Sequence, residues 1–272
     1  MENVDKWPLV SVLFITYKRV HLLKTAVESF RQHTSYPNIE VVIADDGSGP
    51  EIQAIIRTLP ADVFALLPKN HGLGANNNNG LRHCSGKYIL MLQDDWPCYG
   101  PPDYLRESVR VMEANPRLGL VNFAGAKHPV DAMQPLTGAT EPCFVTPVPL
   151  DDGTKRYFLY SDQPHLISRA AFEHVGFYKE DRDMEQCERD YELRWQGQSS
   201  YLTAAFPGYF MSVFRNVESA PSFRLNMLRY RIQRPLLPVA RFLKMHSTPL
   251  YKLGKVFVLG SIKALEKLKG SP

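Results

Sequence analysis

The sequence of 272 residues contains few cysteines and no long apolar run, and each absence excludes a class of protein. Its four cysteines do not form a CxxC pair, which argues against a zinc ribbon or a disulfide framework and favours the reducing cytoplasm. No segment reaches the roughly 18–20 apolar residues that a membrane-spanning helix requires. The polar, acidic first residues differ from a signal peptide. We therefore expect a soluble protein that is at most peripheral to a membrane.

The composition excludes a disordered chain, and the distribution of charge divides the sequence in two. With 44% hydrophobic and 11% aromatic residues, the chain can bury a full core. The net charge of +4 combines −6 for residues 1–214 with +10 for residues 215–272, where twelve basic residues stand against two acidic ones. We therefore expect one large domain over 1–214 and a basic helical C-terminal extension over 215–272.

The extension mixes basic side chains with apolar ones. Basic amphipathic helices lie on anionic membrane surfaces, so we expect the extension to contact the inner face of the cell membrane. Nucleic acid is not expected as a partner, because no recognised nucleic-acid-binding motif accompanies the charge. A solvated helical appendage or an oligomer contact is the alternative interpretation.

The large domain has the pattern of an α/β fold. Short apolar runs alternate with segments of helical periodicity from Leu9 to Phe123. This alternation predicts a mostly parallel central sheet with flanking helices and right-handed crossovers. Residues 129–149 are rich in Pro, Thr and Gly and are predicted to form a long loop. We expect residues 125–160 to determine which acceptor the protein uses.

Two of the predicted strands end in paired carboxylates, at Asp45-Asp46 and at Gln93-Asp94-Asp95. In parallel sheets, ligands bind at the carboxyl ends of the strands, so both pairs and the segment Thr16–Arg19 should lie on one rim. Carboxylates in that position are costly unless a cation neutralises them, and a divalent metal that carries a phosphorylated substrate is the usual occupant. The pattern therefore predicts a nucleotide-and-metal site.

The order of the motifs carries a family resemblance. Along the chain the motifs are Thr16-Tyr17-Lys18-Arg19, Asp45-Asp46-Gly47-Ser48, Asn78-x-Gly80, Gln93-Asp94-Asp95 and Glu188-Arg189-Asp190-Tyr191. This order resembles the family 2 glycosyltransferases, which are inverting enzymes of the GT-A fold, and the likeness covers about residues 9–206. The resemblance implies a GT-A-like fold and transfer of a sugar from a nucleoside-diphosphate sugar to a hydroxyl acceptor, which is lipid-linked in many relatives.

The resemblance also implies the residues of the donor site. Asp46, or its neighbour Asp45, would accept a hydrogen bond from the nucleobase, and Thr16 and Tyr17 would line the same pocket. The same site would include Arg19, Asn77 and Asp94. Asn77 departs from the family, since many relatives have an arginine at that position that reaches toward the nucleotide. An ordinary Asp-Gly-Ser turn is the alternative interpretation of Asp45 and Asp46.

The metal site implied by the resemblance rests on Asp95. Gln93-Asp94-Asp95 occupies the place of the metal-binding Asp-x-Asp motif, and Asp95 matches its last carboxylate. Gln93 replaces the first carboxylate with a neutral amide. Mg²⁺ or Mn²⁺ is normally held by one or two carboxylates and the substrate phosphates, so one strong ligand suffices. Two solvated aspartates at a strand end are the alternative.

The catalytic base implied by the resemblance lies among Glu188, Asp190 and Glu192. In an inverting transfer, a carboxylate removes the proton of the acceptor hydroxyl as its oxygen attacks the anomeric carbon. The resemblance assigns this role to Asp190 and leaves Glu188 in reserve. The alternative is a surface helix with charge pairing among Glu188, Glu192 and Arg194.

Two other functions remain open at the level of sequence. A sugar-1-phosphate nucleotidyltransferase shares a related sheet, but those enzymes generally have a Gly-rich, Arg-containing loop where this chain has Thr16–Arg19. A non-catalytic sugar-nucleotide-binding or scaffold protein would also keep the fold, and Gln93 and Asn77 favour that interpretation. Transfer of sugar is the function that we expect.

Overall fold

Strands and helices alternate along the first half of the chain, as the sequence pattern predicts. The computed structural model describes residues 7–123, 134–136, 144–146, 160, 162–180, 182–205 and 213–217. The strands are β1 (Val10–Thr16), β2 (Ile39–Asp45), β3 (Val63–Leu66), β4 (Tyr88–Gln93), β5 (Leu118–Asn122), β6 (Gln134–Pro135), β7 (Phe144–Thr146), β8 (His165–Ser168) and β9 (Leu202–Ala205). The helices are α1 (Val20–His33), α2 (Pro50–Ile56), α3 (Leu73–His83), α4 (Tyr104–Ala114), α5 (Arg169–Val175) and α6 (Met184–Gly197).

The strands form one mixed sheet in the order β3-β2-β1-β4-β8-β5-β9-β7-β6. Strands β1 to β4 pair in parallel, so the predicted α/β arrangement is confirmed in this half of the sheet. Strand β8 lies between β4 and β5 and is antiparallel to both. The predicted loop over 129–149 contains the short antiparallel strands β6 and β7. The second half of the sheet is therefore less parallel than the sequence suggests.

Both faces of the sheet are covered, and β1 shows why its sequence is apolar throughout. Side chains alternate between the two faces of a strand. Phe14 packs in a cluster that includes Phe30 of α1 and Val109 of α4, whereas Leu13 packs in another with Leu81 of α3 and Trp195 of α6. A strand that is buried on both faces has no polar side, so its sequence is a continuous apolar run.

Gly80 allows α3 to pack closely against the sheet. A Cβ atom at this position would lie 2.5 Å from Cδ1 of Leu13 and 2.9 Å from Cβ of Ala44. Both contacts are shorter than van der Waals separation, and neither neighbour can move freely inside the core. Gly80 therefore sets the distance between α3 and strands β1 and β2.

We expect Gly80→Ala to destabilise the protein by about 1–3 kcal/mol through overpacking, although alanine favours a helix more than glycine does. Gly197→Ala is the matched control, because a Cβ atom there meets nothing within 4 Å. Urea unfolding of both variants measures the difference. Equal stability of Gly80→Ala and the wild type would show that α3 is not held at this distance.

The described part of the chain ends beside β4. Residues 213–217 run antiparallel to the segment after β4: the Tyr99 N–H donates to the Val213 carbonyl at 2.6 Å, and the Val217 N–H donates to the Asp95 carbonyl at 3.0 Å. The first compact unit accordingly ends at Val217, three residues beyond the boundary that the charge pattern indicates. The predictions for residues 218–272 fall outside the described residues. No helix in the described ranges is both long and apolar enough to cross a membrane.

Candidate active site

Three parallel strands end together at one rim of the sheet. Strand β1 lies between β2 and β4, with Thr16 opposite Asp45 and Ile15 opposite Gln93. The ladder continues past the strand ends, since the Asp46 N–H donates to the Thr16 carbonyl and the Asp94 N–H donates to the Ile15 carbonyl, both at 3.1 Å. The structure thus brings together the three segments that the sequence analysis placed on one rim.

Asp94 forms a buried ion pair with Arg19. Its side chain is fully buried, Thr16 Oγ1 donates to Oδ2 at 2.7 Å, and Arg19 Nε donates to the same oxygen at 3.2 Å. Nη2 of Arg19 lies 2.5 Å from Oδ1. Burial raises the pKa of Asp94 to about 6, against the opposing effects of the Thr16 hydrogen bond and the Arg19 charge. Arg19, one-third exposed between β1 and α1, therefore compensates for the burial of this carboxylate.

Asp95 keeps one uncommitted carboxylate oxygen. Its Oδ2 atom lies 3.6 Å from Nη1 of Arg19 and accepts a hydrogen bond of 2.9 Å from Nδ2 of Asn216. Its Oδ1 atom is buried and accepts no hydrogen bond from the residues that the structure describes. Buried polar atoms are usually paired, so an unpaired carboxylate oxygen at this rim is a candidate ligand for a cation.

The geometry around Asp95 limits the kind of metal site that this rim can form. Within the described ranges, no cluster of three or more His, Cys, Asp or Glu side chains could hold a metal ion. A divalent cation can nevertheless be held by one carboxylate together with substrate phosphates and water. Asp95 Oδ1 provides that single ligand, and Asp94 is already neutralised by Arg19. The residues present fit a cation that arrives with a phosphorylated substrate.

Asp45 and Asp46 organise the two loops at the end of β2. Asp45 accepts hydrogen bonds of 2.8 Å from the N–H of Ser48 and from Nε2 of Gln53. Asp46 accepts hydrogen bonds from the residues that precede α3, namely Nδ2 of Asn70 at 2.7 Å, the N–H of His71 at 2.7 Å and the N–H of Gly72 at 2.9 Å. Burial raises the pKa of Asp46, against the lowering effect of the two backbone bonds.

These contacts give both carboxylates a structural role, and that of Asp45 is the turn described by the alternative interpretation. Asp46 fixes the path of the chain into α3, and Asp45 closes the turn around Ser48. The contact of either residue with a nucleobase stays a prediction. Lys18 shapes the neighbouring loop, because its backbone adopts a positive φ of 59° and its N–H donates to Ser48 Oγ at 2.7 Å. Such strain in a non-glycine residue is concentrated at functional sites.

The asparagine run in α3 connects distant parts of the chain. Nδ2 of Asn76 lies 3.1 Å from the Thr16 carbonyl and 3.2 Å from the Ala44 carbonyl, so it joins the ends of β1 and β2. Asn78 exchanges two hydrogen bonds with the backbone of Tyr178, at 2.8 and 2.9 Å. Asn77 is buried between them, and its assignment to the donor site stays a prediction. Asn76 and Asn78 thus connect α3 to the strand ends and to Tyr178, and they do not lie on a solvated helix surface.

The carboxylates of α6 have different surroundings. Asp190 accepts bonds from Nε of Arg194 at 2.9 Å and from Nζ of Lys179 at 2.7 Å, and these bonds outweigh burial, so the pKa of Asp190 is lowered. Glu192 pairs with Arg189 at 3.3 Å rather than with Arg194. Glu188 accepts a bond from the backbone N–H of Asp162 at 3.1 Å.

The position of β8 determines where Glu188 is held. This strand is antiparallel to β4, with His165 opposite Met91, so the residues before His165 run past the end of β4 toward Asp94. Asp162 lies in that stretch and holds Glu188 there. The predicted base, Asp190, is held instead by Lys179 and Arg194. The resemblance assigns the role of base to Asp190 with Glu188 in reserve; the two cations engage Asp190 and the Asp162 N–H engages Glu188, and which of them acts as base stays a prediction.

Sequence reasoning missed two residues of this site. Asn216 contacts Asp95 across 121 positions of the chain, and Asp162 contacts Glu188 across 26. Neither belongs to a motif of the kind used above, and Asn216 lies in a segment that the charge pattern assigned to the extension. They are revealed only by the pairing of residues 213–217 with the segment after β4 and by the antiparallel pairing of β8 with β4.

Solved structures share this fold, and one of them is a mannosyltransferase. The mannosyltransferase PcManGT from Pyrobaculum calidifontis, in complex with GDP-Man and Mn²⁺, is 16% identical, with a TM-score of 0.53 over 97% of this chain and 76% of that chain. Residues 1–349 of TarS from S. aureus are 14% identical, with a TM-score of 0.57 over 82% of this chain and 65% of that chain. At these identities the likeness shows the fold alone, which is GT-A.

The sequence model of the family described as Glycosyl transferase family 2 matches residues 11–176. The match covers more than half of the chain, and the chain belongs to this family. A curated relative is the GalNAc(5)-diNAcBac-PP-undecaprenol beta-1,3-glucosyltransferase of Campylobacter jejuni, which is 31% identical over 93 residues, or 32% of this chain and 30% of that protein. The chain spans about a third of the length of the curated relatives that it matches.

Proposed function

We propose that the protein is an inverting, metal-dependent glycosyltransferase that moves a sugar from a nucleoside-diphosphate sugar to a hydroxyl acceptor. The observation that carries this proposal is the rim at the end of β4, where Oδ1 of Asp95 is buried without a hydrogen-bond partner among the described residues, beside the Arg19–Asp94 pair. Membership of the glycosyl transferase family 2 supports it, as does the candidate base Glu188 near the same rim.

In this proposal the donor's diphosphate lies over Arg19 and Asp95. The guanidinium of Arg19 remains one-third exposed while it pairs with Asp94, so it can also face a phosphate. Asp95 would hold Mg²⁺ or Mn²⁺ through Oδ1, and the bound ion would offset negative charge on the departing diphosphate. The nucleobase would lie near Tyr17 and the loop that Asp46 organises.

The acceptor would be deprotonated by a carboxylate of α6. Its hydroxyl oxygen attacks the anomeric carbon from the side opposite the diphosphate, and the O–H proton passes to Glu188. The bond from the anomeric carbon to the diphosphate oxygen breaks, and the electron pair leaves with the nucleoside diphosphate. A single displacement of this kind inverts the anomeric configuration, through a transition state with the oxocarbenium character of glycoside hydrolysis.

A turnover assay tests this function. The full chain is incubated with Mn²⁺ or Mg²⁺ and a panel of sugar nucleotides, and the release of nucleoside diphosphate is followed. We expect slow release from one donor in water and faster release when a hydroxyl acceptor is present. Release of pyrophosphate from a sugar-1-phosphate and a nucleoside triphosphate would identify a nucleotidyltransferase instead. Binding of a donor without turnover on any acceptor would support a non-catalytic role.

We further propose that the acceptor is lipid-linked and that residues 218–272 hold the protein at an anionic membrane surface. The proposal rests on the excess of basic over acidic residues after Val217 and on a relative that acts on an undecaprenol-linked substrate. Basic segments with apolar side chains bind such surfaces through charge and shallow burial together.

We expect removal of residues 218–272 to release the protein from anionic liposomes in a flotation assay. Sugar-nucleotide affinity should be unchanged, because the truncation keeps Asn216 and its bond to Asp95. High salt should weaken binding of the full chain, since exposed charges are screened beyond about 8–10 Å. Failure of the full chain to bind anionic liposomes at low salt would contradict the membrane proposal.

A further inference from the structure

Asp162, just before β8, has surroundings that differ from those of the other aspartates of the site. Its Oδ1 atom accepts a hydrogen bond of 2.5 Å from the hydroxyl of Tyr160, and that hydroxyl also contacts the hydroxyl of Tyr178. Its Oδ2 atom is buried and has no hydrogen-bond partner among the described residues. Its backbone N–H donates to Oε1 of Glu188. The Asp162 N–H thus holds the Glu188 carboxylate close enough for its charge to act on the Asp162 carboxyl.

We propose that Asp162 is a positioning residue that holds Glu188 in place for removal of the acceptor's proton. This inference rests on the proposed function, since it gives Glu188 the role of base. It assigns to Asp162 a part that the family motifs do not contain. Asp162 acts in two ways: its backbone N–H fixes the Glu188 carboxylate, and its own buried carboxyl group loses its charge as the pH falls below about 7.

The uncharged state follows from the surroundings. Burial, assisted by the nearby Glu188, raises the pKa of Asp162 to about 7, against the lowering effect of the hydrogen bond from Tyr160. An ionised Oδ2 without a partner would be costly, whereas a protonated carboxyl is tolerated in an apolar setting. Below about pH 7, Asp162 therefore adds little negative charge beside Glu188.

The other titratable groups near Asp162 keep one protonation state between about pH 6 and 9. On its own segment, burial raises the pKa of Tyr160 well above its ordinary value and lowers the pKa of His165 to about 4. Across from it, burial raises the pKa of Tyr178 and Tyr191, and raises that of Cys187 to about 12. Asp94 at the end of β4, with its pKa raised to about 6, also titrates at the acidic end of this range, so the part of the pH dependence that Asp162→Asn removes is the part that reports Asp162.

Ionisation of Asp162 should lower the rate of transfer at alkaline pH. As the pH rises through about 7, Asp162 loses its proton, and its negative charge repels the Glu188 carboxylate held against its N–H. We expect kcat of the wild type to fall on this alkaline limb. Asparagine cannot ionise and has the shape of a protonated aspartate, so Asp162→Asn should lack the limb.

The experiment compares kcat–pH profiles of the wild type, Asp162→Asn, Asp162→Ala and the exposed control Asp103→Asn. Both Asp162 variants keep the N–H that bonds Glu188, so we expect Asp162→Asn to stay within about tenfold of the wild-type kcat at pH 7 and Asp162→Ala, which also loses the hydrogen bond from Tyr160, to fall further, with unchanged KM for the donor. Asp103→Asn should keep the alkaline limb. An alkaline limb in Asp162→Asn equal to that of the wild type, or no limb in the wild type, would overturn the proposal.

A measurement without turnover tests the pair itself. A raised folded-state pKa means that the free energy of unfolding falls as the pH rises from about 4 to 7, because the unfolded chain releases the proton first. Asp162→Asn should reduce this fall and leave the part that Asp94 contributes through its own raised pKa, and Glu188→Gln should shift the midpoint of the Asp162 contribution to lower pH. If the free energy of unfolding of Glu188→Gln depends on pH as that of the wild type does, Asp162 and Glu188 do not interact as proposed. If Glu188→Gln shifts the midpoint but the wild type transfers no sugar, the proposed function and the role of Asp162 in it are both wrong. If the wild type transfers sugar but Glu188→Gln leaves the midpoint unchanged, only the inference about Asp162 is wrong.

Discussion

Replacement of Asp95 with asparagine should abolish sugar transfer while leaving the fold intact. Asparagine keeps the shape of the side chain and can still accept the hydrogen bond from Asn216, so the stability should change little. The substitution removes the negative charge of a carboxylate whose buried Oδ1 has no hydrogen-bond partner among the described residues. Loss of a metal ligand removes several kcal/mol of transition-state stabilisation, so we expect kcat/KM to fall by about 100-fold or more.

Steady-state release of nucleoside diphosphate measures this effect, and thermal unfolding verifies the fold. Asp103→Asn is the matched control, because Asp103 is exposed and its side chain makes no capping hydrogen bond to α4. Near-normal turnover by Asp95→Asn, with a metal requirement equal to that of the wild type, would locate the metal elsewhere.

Replacement of Glu188 with glutamine should abolish transfer while donor affinity is retained. The amide cannot take up the acceptor's proton, and a lost general base costs about 10²–10⁴ in rate. The corresponding substitution at the residue that the family resemblance favours is Asp190→Asn. It should weaken the ion pairs with Lys179 and Arg194 and lower the free energy of unfolding by about 1 kcal/mol. We expect it to keep most of the transfer activity.

The two variants together decide the base. Single-turnover kinetics with saturating donor separates loss of chemistry from loss of donor binding. An inactive Asp190→Asn beside an active Glu188→Gln would return the role to Asp190, as the family resemblance implies. The mechanism would then stand with the residue assignment reversed.

Much of the fold could be predicted because its first half is built from regular, buried elements. Strands β1, β2 and β4 are apolar runs that end at polar residues, so each of them can be recognised in the sequence. The convergence of Thr16, Asp45 and Asp94 on one rim follows from parallel pairing, which aligns the carboxyl ends of the strands.

The rest of the site depends on pairings between distant parts of the chain that leave no periodic trace. Strand β8 has only four residues and gains its place by pairing with both β4 and β5. Its position brings Asp162 beside Glu188, just as the pairing of residues 213–217 brings Asn216 beside Asp95. Local propensity carries no information about either contact, since each depends on where a distant segment packs.

The acidic pair at the end of β2 shows a different limit. Asp45 and Asp46 match the family pattern, but the donors around them determine what their oxygens do. Gln53, His71 and Gly72 occupy those oxygens in the structure. A motif identifies a residue type at a position, whereas only the three-dimensional surroundings show which of its atoms remain available to a ligand.

The central claim is that the rim of β1, β2 and β4 binds a sugar nucleotide together with a divalent cation at Asp95. Thermal unfolding with a panel of sugar nucleotides, with and without Mn²⁺, tests it most directly in the wild type and Asp95→Asn. A ligand at 100 times its Kd adds about 2.7 kcal/mol to the free energy of unfolding, a rise of roughly 5–10 °C for a domain of this size. We predict that rise for one donor with Mn²⁺, and its loss in Asp95→Asn. No rise with any donor, or an equal rise in Asp95→Asn, would contradict the claim.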